Sequence, residues 1–302
     1  MPHILLTGGT GLIGRSIIAQ LLNTNHTITV LTRHPDQIYR HWAKQVKAVT
    51  NLEQIASDQT IDGVINLAGA PIADARWTKQ RKQLLEDSRI RLTRQLVDWI
   101  RSRPSLPTCF ISGSAVGWYG DHGDQVLTEV SGFHDEYAHQ LCDAWEQAAI
   151  SAQDLGIRVC IVRTGLVIAP DGGFLQRLLF PFKLGLGGRL GSGRQYMPWV
   201  HIDDIADLFI FLYSAQSANG IFNGCAPSPV TNREFTAILA KQLHRPAYLP
   251  VPALSLKLML GEMSQLLLGS QRAIPEKVLK LGFKFKYTEL PSALITTLNQ
   301  HN

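Results

Sequence analysis

A run near the start of the chain, Thr7-Gly8-Gly9-Thr10-Gly11-Leu12-Ile13-Gly14, has the residue types and spacing to hold a phosphate. It lies between an apolar run, Ile4–Leu6, which reads as a strand, and Leu12–Leu22, which reads as a helix. Gly8 permits a tight strand-to-helix turn with positive φ. Gly11 lets backbone approach a pyrophosphate closely, and Gly14 lets the helix pack against the strand. The helix N-terminus adds unpaired N–H groups and a partial positive charge. A turn of this build is expected to take the pyrophosphate of a dinucleotide through Gly8, Thr10, Gly11, Leu12, Ile13 and Gly14. A tight turn with no ligand is the plainer alternative; the strand before it and the helix after it favour a ligand.

The next strand, Thr27–Leu31, leads into Thr32-Arg33, nineteen residues past Gly14. An acidic residue there would bond a ribose 2′-hydroxyl and select NAD. Arg33 instead suits a 2′-phosphate, so the expected cofactor is NADP(H), with Thr32 and Arg33 at its adenosine end. A solvent-facing arginine at a strand end is the competing reading of Arg33. His34 and Arg40 are near enough to assist, but nothing in the sequence fixes their direction.

The elements that must position this turn recur along the first half. Strand patterns fall at Gln45–Thr50, Ile61–Leu67, Thr108–Ile111 and Arg158–Val162, and helical ones at Lys79–Arg101 and Glu136–Leu155. Such alternation gives βαβ units with right-handed crossovers, hence an α/β fold of Rossmann type with a doubly wound parallel sheet. After Gly165 the texture changes. Glycine is dense from Gly172 to Gly193, then a strand at Pro198–Val200, a helix from Asp203 and a strand at Gly220–Asn223 follow. Short helices and proline-bearing turns begin at Thr231. The expected division is a nucleotide-binding domain over 1–165 and a smaller, partly interleaved α/β lobe over 166–302. The long helices Lys79–Arg101 and Glu136–Leu155 offer either a homodimer face or a face covered within the monomer.

Composition narrows the function classes. The chain has 302 residues, 45% of them apolar and 18% charged, which is ordinary for a globular protein. The net charge of +5 is scattered rather than gathered into a basic strip, so no nucleic-acid partner is expected. Cys109, Cys142, Cys160 and Cys225 form no Cys-x-x-Cys pair and read as buried thiols in a reducing compartment. The stretch Val251–Leu268 carries Lys257 and Glu262, which makes it a globular helix and not a membrane span. With no signal-peptide pattern before Ile4, the expected location is the cytoplasm. No metal site is expected, and neither a nucleotide-hydrolysing phosphate loop nor a Gly-x-Ser-x-Gly elbow is present.

The three-glycine spacing, Asn66-Leu67-Ala68-Gly69 and Val200-His201-Ile202-Asp203-Asp204 together resemble the extended short-chain dehydrogenase/reductase superfamily. More narrowly, the chain resembles epimerase-family proteins named as nucleoside-diphosphate-sugar epimerases. The matching segments are Arg76-Trp77, Ser88-Arg89, Ser114-Ala115-Val116-Gly117, Trp145-Glu146, Arg163-Thr164-Gly165, Gly185–Gln195, Ala226-Pro227 and the lobe from Pro250 to Leu294. The resemblance implies an NADP(H)-binding oxidoreductase or isomerase whose substrate is a small molecule, a sugar nucleotide or another hydroxylated metabolite. By that likeness Leu67, Ala68 and Gly69 lie along the adenosine ribose and pyrophosphate, Arg89 faces the cofactor, and the Gly165-Leu166 loop sits by the nicotinamide.

The superfamily's reacting groups are a Tyr-x-x-x-Lys pair and a serine. The lysine lowers the tyrosine pKa so that the phenol can pass a proton near neutral pH. Ser114 matches the serine, with Ser112 two residues earlier. No tyrosine of this chain has lysine four residues on. The best placed is Tyr137, where Leu141 takes the lysine position; the neighbouring register offers Ala138 and Cys142. Ser114 and Tyr137 are therefore the expected catalytic residues, with Tyr137 a weak acid–base group and a packing aromatic as its alternative role. His139 on the same helix is a further base candidate. Sugar-nucleotide epimerases usually carry an arginine where Met197 stands here. Arg189 and Arg194 either replace it as anion ligands or belong to a solvated lid. A non-catalytic NADP(H)-binding sensor or partner-binding protein remains the second functional class.

Overall fold

The computed structural model describes residues 1–299. Its centre is a seven-stranded sheet of β1 His3–Thr7, β2 Thr27–Leu31, β3 Lys47–Val49, β4 Gly63–Asn66, β5 Cys109–Ala115, β6 Arg158–Thr164 and β7 Gly220–Gly224. The spatial order is β7-β6-β5-β4-β1-β2-β3, and every pairing is parallel. Parallel strands covered on both faces read as apolar runs, which is why β1 is buried along its whole length.

The period-two alternation of strand side chains assigns β1 to two cores. Ile4 and Leu6 join Ile17, Ile18 and Leu21 of α1 (Leu12–Asn23) and Ile205, Leu208, Phe209 and Leu212 of a later helix. Leu5 points the other way, to Val64, Phe110, Ile161 and the helix residues Leu96, Val97 and Ile100. A third cluster, including Leu175, Leu179, Trp199, Phe235, Leu239 and Leu294, forms the core of the C-terminal lobe.

The helices divide more finely than periodicity suggests. Beyond α2 (Pro35–Trp42), the stretch Lys79–Arg101 is α3 (Lys79–Glu86), a π turn over Asp87–Arg91, and a continuation Leu92–Arg101 that is α4. Side chains take up main-chain carbonyls at the widened turn: Ser88 Oγ and Arg89 Nη1 donate to Leu85 O, and Thr93 Oγ1 donates to Arg89 O. The segment after 136 is α5 (Tyr137–Ile150) with a closing 3-10 turn, stopped by Gly156 at φ +76°. The apolar face of α4 packs in the second core together with Ala149 of α5, while Tyr137, Ala138 and Leu141 of α5 pack in a separate cluster with Trp77, Leu85 and Met263. Val251–Leu268 is not one helix; Gly261, at φ +60°, breaks it after Leu260. The helix expected from Asp203 begins at Ile202 and runs to Ser214, with the His201 side chain accepting from Asp203 N.

The two halves of the chain exchange elements. β7 pairs with β6 although it follows residue 165, and helix Ile202–Ser214 packs on α1. The C-terminal lobe is built by Gly173–Lys183, Asn232–Leu243, Ala253–Leu260 and Leu290–Asn299, which complete the series with the short helices between them.

Candidate active site

The glycine turn has the geometry that its residues require. Gly8 stands at φ +72°, and a Cβ there would lie 2.6 Å from Leu67 O. A Cβ on Gly14 would run into the Gly8 carbonyl. Gly11 differs: its φ is −76°, it is exposed, and an added Cβ meets only Gly8 O at 3.1 Å. Gly11 N donates to Gly8 O at 2.9 Å, and Arg15 N to Gly11 O at 3.0 Å. No side chain caps α1, so the first amides of the helix, at Leu12, Ile13 and Gly14, are left for a ligand or water. Thr10, Leu12 and Ile13 are half-buried around them. An open, uncapped N-terminus behind close-packed glycines fits a pyrophosphate. A cavity of about 380 Å3 opens on the flank of the same turn, between Leu12, Arg15, Trp42, Ala169 and Ile202.

A buried polar chain ties this turn to the next strands. Thr7 Oγ1 donates to Asn66 Oδ1 at 2.7 Å and accepts from Leu67 N and Ala68 N, each at 3.1 Å. Asn66 Nδ2 donates to Thr93 Oγ1 at 2.8 Å and Ser112 Oγ at 3.2 Å, and Trp145 Nε1 donates to Thr93 Oγ1 at 3.1 Å. Every member is satisfied, so the network fixes the exit of β4. Leu67 and Ala68 are half-buried and Gly69 is exposed. Arg89 lies directly beneath Gly69, whose added Cβ would be 2.8 Å from Arg89 Cζ. Its Nη2 donates to Ala70 O at 2.9 Å, while Ala70 N donates to Ser88 Oγ at 2.9 Å. Burial lowers the pKa of Arg89. The π turn thus supports the 68–70 backbone from below.

Ser114, on β5, donates from Oγ to Glu146 Oε1 at 2.6 Å. Glu146 receives Arg163 in fork geometry, Nε to Oε1 at 2.9 Å and Nη2 to Oε2 at 2.8 Å, with side chains only 2% and 1% exposed. Trp118 covers the guanidinium at 3.4 Å. Burial opposes the charge on Arg163, but the hydrogen bonds and charge of Glu146 outweigh it and its pKa is raised. Arg163 Nη1 is buried with no partner among the described residues. Cys142 adjoins this group, its thiol pushed up to about 11 by burial.

Tyr137 is placed differently from a primed acid–base group. Its hydroxyl donates to Lys82 O at 3.4 Å, and its ring meets Trp77 edge-on at 4.9 Å. Burial, then the Glu86 charge, push its pKa up to about 12. A lysine is beside it after all: Lys82 of α3 sits 4.0 Å from the ring centre, but its ammonium pairs with Glu262 at 2.7 Å. His139 is occupied by Trp118 O at 2.7 Å and stacks on Phe133 at 3.8 Å. Leu166 N donates to Pro198 O at 2.7 Å, which fixes the loop after β6. Thr32 N is bonded to Val49 O, whereas Arg33 is exposed at the end of β2. Met197 is buried, with Asn232 Nδ2 on its sulfur at 3.4 Å.

Glu146 and Arg163 received no role from sequence reasoning beyond their place in matching segments. Arg163 carried a signal, an arginine directly after the apolar run Val159–Val162; Glu146, on a helix that also bears Asp143 and Gln147, carried none of its own.

The profile of the NAD dependent epimerase/dehydratase family matches residues 4–224, and that of a domain of unknown function, DUF1731, matches residues 251–296. The chain belongs to the NAD dependent epimerase/dehydratase family. An epimerase family protein of Staphylococcus aureus (strain MW2) is 38% identical over 302 residues, covering 97% of this chain and 98% of its own. The structure of the human epimerase family protein SDR39U1 with NADPH superposes with a TM-score of 0.88 at 30% identity, over 98% of this chain and 99% of that one. The nucleoside-diphosphate sugar epimerase of Corynebacterium glutamicum gives 0.78 at 30% identity, over 99% of this chain and 59% of that one. Family membership accords with the Rossmann-type sheet and the glycine turn at its first strand. Among the described residues no helix is long and apolar enough to cross a membrane.

Proposed function

We propose that this family member is an NADP(H)-dependent oxidoreductase or epimerase acting at a hydroxyl-bearing carbon of a small metabolite of the sugar-nucleotide class. One observation carries the reading: the glycine turn and Ser114 leave the same edge of the sheet. Thr7, Asn66 and Ser112 are in register across β1, β4 and β5, so Ser114 lies just beyond the turn that begins at Gly8. That edge, at the strands' carboxyl ends where the order reverses beside β1, is where open α/β sheets bind ligands.

In this reading the amides of Leu12, Ile13 and Gly14 hold the pyrophosphate, Thr10 and the backbone of Leu67, Ala68 and Gly69 flank it, and Arg89 supports that backbone. Thr32 and Arg33 receive the adenosine 2′-phosphate, and Leu166 borders the nicotinamide. NADPH in the human relative supports the phosphorylated cofactor. A nicotinamide held there supplies hydride transfer. Ser114, its own proton committed to Glu146, offers oxygen lone pairs to a substrate hydroxyl and fixes its direction. Glu146 is the group next in line for a proton passing through Ser114 Oγ, and Arg163 holds it in place. Tyr137 has the lesser part, because its pKa is raised and its hydroxyl faces a carbonyl.

That same feature of Tyr137 favours a second reading, a non-catalytic NADP(H)-binding sensor or partner-binding protein. Cofactor turnover against a panel of carbonyl compounds and sugar nucleotides separates the two. Turnover that is lost in Ser114→Ala supports the enzyme; stoichiometric NADPH binding with no turnover across the panel supports the sensor. We assign 1–165 to cofactor binding and 166–302 to the substrate lobe, with β7 and helix Ile202–Ser214 returned to the first unit. Four buried free thiols support a reducing, cytoplasmic setting.

A further inference from the structure

Two segments of the C-terminal lobe put large apolar side chains into solvent. Near the end of helix Gly173–Lys183, Phe180 is 73% exposed, and Leu184 and Leu186 follow it in the open. In the second segment Tyr248 is 86% exposed, and Leu254, Leu258 and Met259 stand out from helix Ala253–Leu260. That helix is apolar except for Ser255 and Lys257, yet only its Leu256 is buried. A helix apolar on nearly every side is ordinarily covered. Single exposed leucines need no explanation, but large ones gathered together mark a surface that meets a partner or a lipid.

The two segments are laced side by side. Leu249 N donates to Gly187 O at 3.3 Å, Val251 N to Arg189 O at 2.9 Å and Gly191 N to Val251 O at 2.8 Å. A Cβ on Gly185 would lie 3.5 Å from Pro246 Cγ, and one on Gly191 3.6 Å from Ala253 Cβ. Leu184 N donates to Phe180 O at 3.3 Å, so these two stand one turn apart, and Leu254 and Leu258 are spaced likewise. The exposed side chains therefore follow one seam of the lobe.

Charge decides what fits against that seam. No aspartate or glutamate occurs between Asp171 and Asp203, or between Glu234 and Glu262. Over the same stretches Lys183, Arg189, Arg245 and Lys257 are exposed, and among the described residues none of them forms a salt bridge. Long basic side chains keep their charge in water while their stems lie on apolar surface. A second copy of the chain, packed on this face about a twofold axis, would set these cations against themselves. Negative headgroups over hydrocarbon satisfy the cations and the leucines together.

We infer that this seam docks the protein on an anionic lipid surface. Phe180, Leu184, Leu254 and Leu258 enter the boundary of the acyl chains, Tyr248 stands at headgroup level, and the lysines and arginines meet the phosphates. The protein lies on the surface without crossing it, since among the described residues no helix is long and apolar enough to span a bilayer. The inference does not rest on the activity proposed above.

The test is flotation of the full chain with vesicles of phosphatidylcholine alone and of phosphatidylcholine containing about 30 mol % phosphatidylglycerol. The expected result is at least about tenfold tighter binding to the mixed vesicles, most of it released by about 0.5 M salt. Lys183→Gln/Arg245→Gln/Lys257→Gln and Leu254→Ser/Leu258→Ser each lose at least about tenfold in affinity for the mixed vesicles. The altered side chains are exposed, so both variants keep the native melting temperature. Should the serine variant melt early, the glutamine variant decides. No flotation, equal flotation with neutral vesicles, or full affinity in the glutamine variant overturns the inference. So does a dimer, seen by light scattering, that the serine variant abolishes, because it gives the face to a second copy of the chain.

Discussion

Ser114 and Glu146 meet through a 2.6 Å hydrogen bond in which the hydroxyl donates, and Arg163 grips the same carboxylate at both oxygens, sharing Oε1 with Ser114. The arrangement gives Ser114 a fixed proton and a fixed direction. It also ties Glu146 to the stability of the fold. Removing one member of a buried ion pair leaves the other charged and unsolvated, so Glu146→Ala should cost about 3–5 kcal/mol. The double variant Glu146→Leu/Arg163→Met should lose less than the sum of the singles. Urea unfolding of the four proteins checks this, and additivity would refute coupling.

Gly14 and Gly11 differ in what they protect. Gly14→Ala drives a Cβ into the Gly8 carbonyl and should destabilise the protein by about 1–3 kcal/mol while abolishing NADPH binding. Gly11→Ala finds an open side and an ordinary φ, so stability should change by less than about 0.5 kcal/mol while NADPH affinity falls about tenfold. Thermal melting paired with fluorescence titration reads both. Undiminished NADPH binding by Gly11→Ala would count against the phosphate site.

Arg33 is exposed, so Arg33→Glu should leave the melting temperature unchanged. It should lower NADPH affinity about tenfold or more and narrow the gap to NADH. Equal affinity of the native protein for the two cofactors would dispose of the role given to Arg33.

Tyr137→Phe removes only a 3.4 Å bond to Lys82 O. Turnover, once a substrate is found, should stay within about threefold of the native rate, because a phenol raised to about 12 is a poor base at neutral pH. A collapse of kcat would return the proton transfer to Tyr137.

Stability should fall at alkaline pH. Burial raises the Cys142 and Cys160 thiols from 9.0 to about 11, and the Tyr119 and Tyr137 phenols from 10.0 to about 12. A raised folded-state pKa gives stability that is whole below the unfolded value and is lost as pH climbs through the folded one. Loss should therefore begin near pH 9 and continue to about pH 12. His3 and His201 act in the opposite sense. Burial lowers both pKa values from 6.5, so their contribution is present above that pH and fades as pH drops below it. Melting temperatures from pH 5 to pH 11 check both limbs; a flat profile through pH 11 would contradict the burial of the thiols and phenols.

The parts of this molecule that obey local rules were legible in its sequence. Gly8, Gly11 and Gly14 announce a turn because backbone sterics act within a few residues, and the strands of the sheet announce themselves by runs such as Ile4–Leu6. What depends on distant chain segments was not. Glu146 and Ser114 are 32 residues apart, and only the folded sheet brings them together. Lys82 reaches Tyr137 from a different helix, outside any fixed spacing. The widened turn at Asp87–Arg91 is set by side-chain hydrogen bonds that helical periodicity does not register.

The exchange of elements between the two halves has a consequence for synthesis. α1, which carries the glycine turn, completes its apolar cover only with Ile205, Leu208 and Phe209 of helix Ile202–Ser214, and β6 remains a sheet edge until β7 arrives. A nascent chain ending near residue 165 would expose both surfaces together. The motif that is translated early is thus among the last to be locked, and a ribosome paused before residue 224 would display a sticky, half-finished sheet to chaperones.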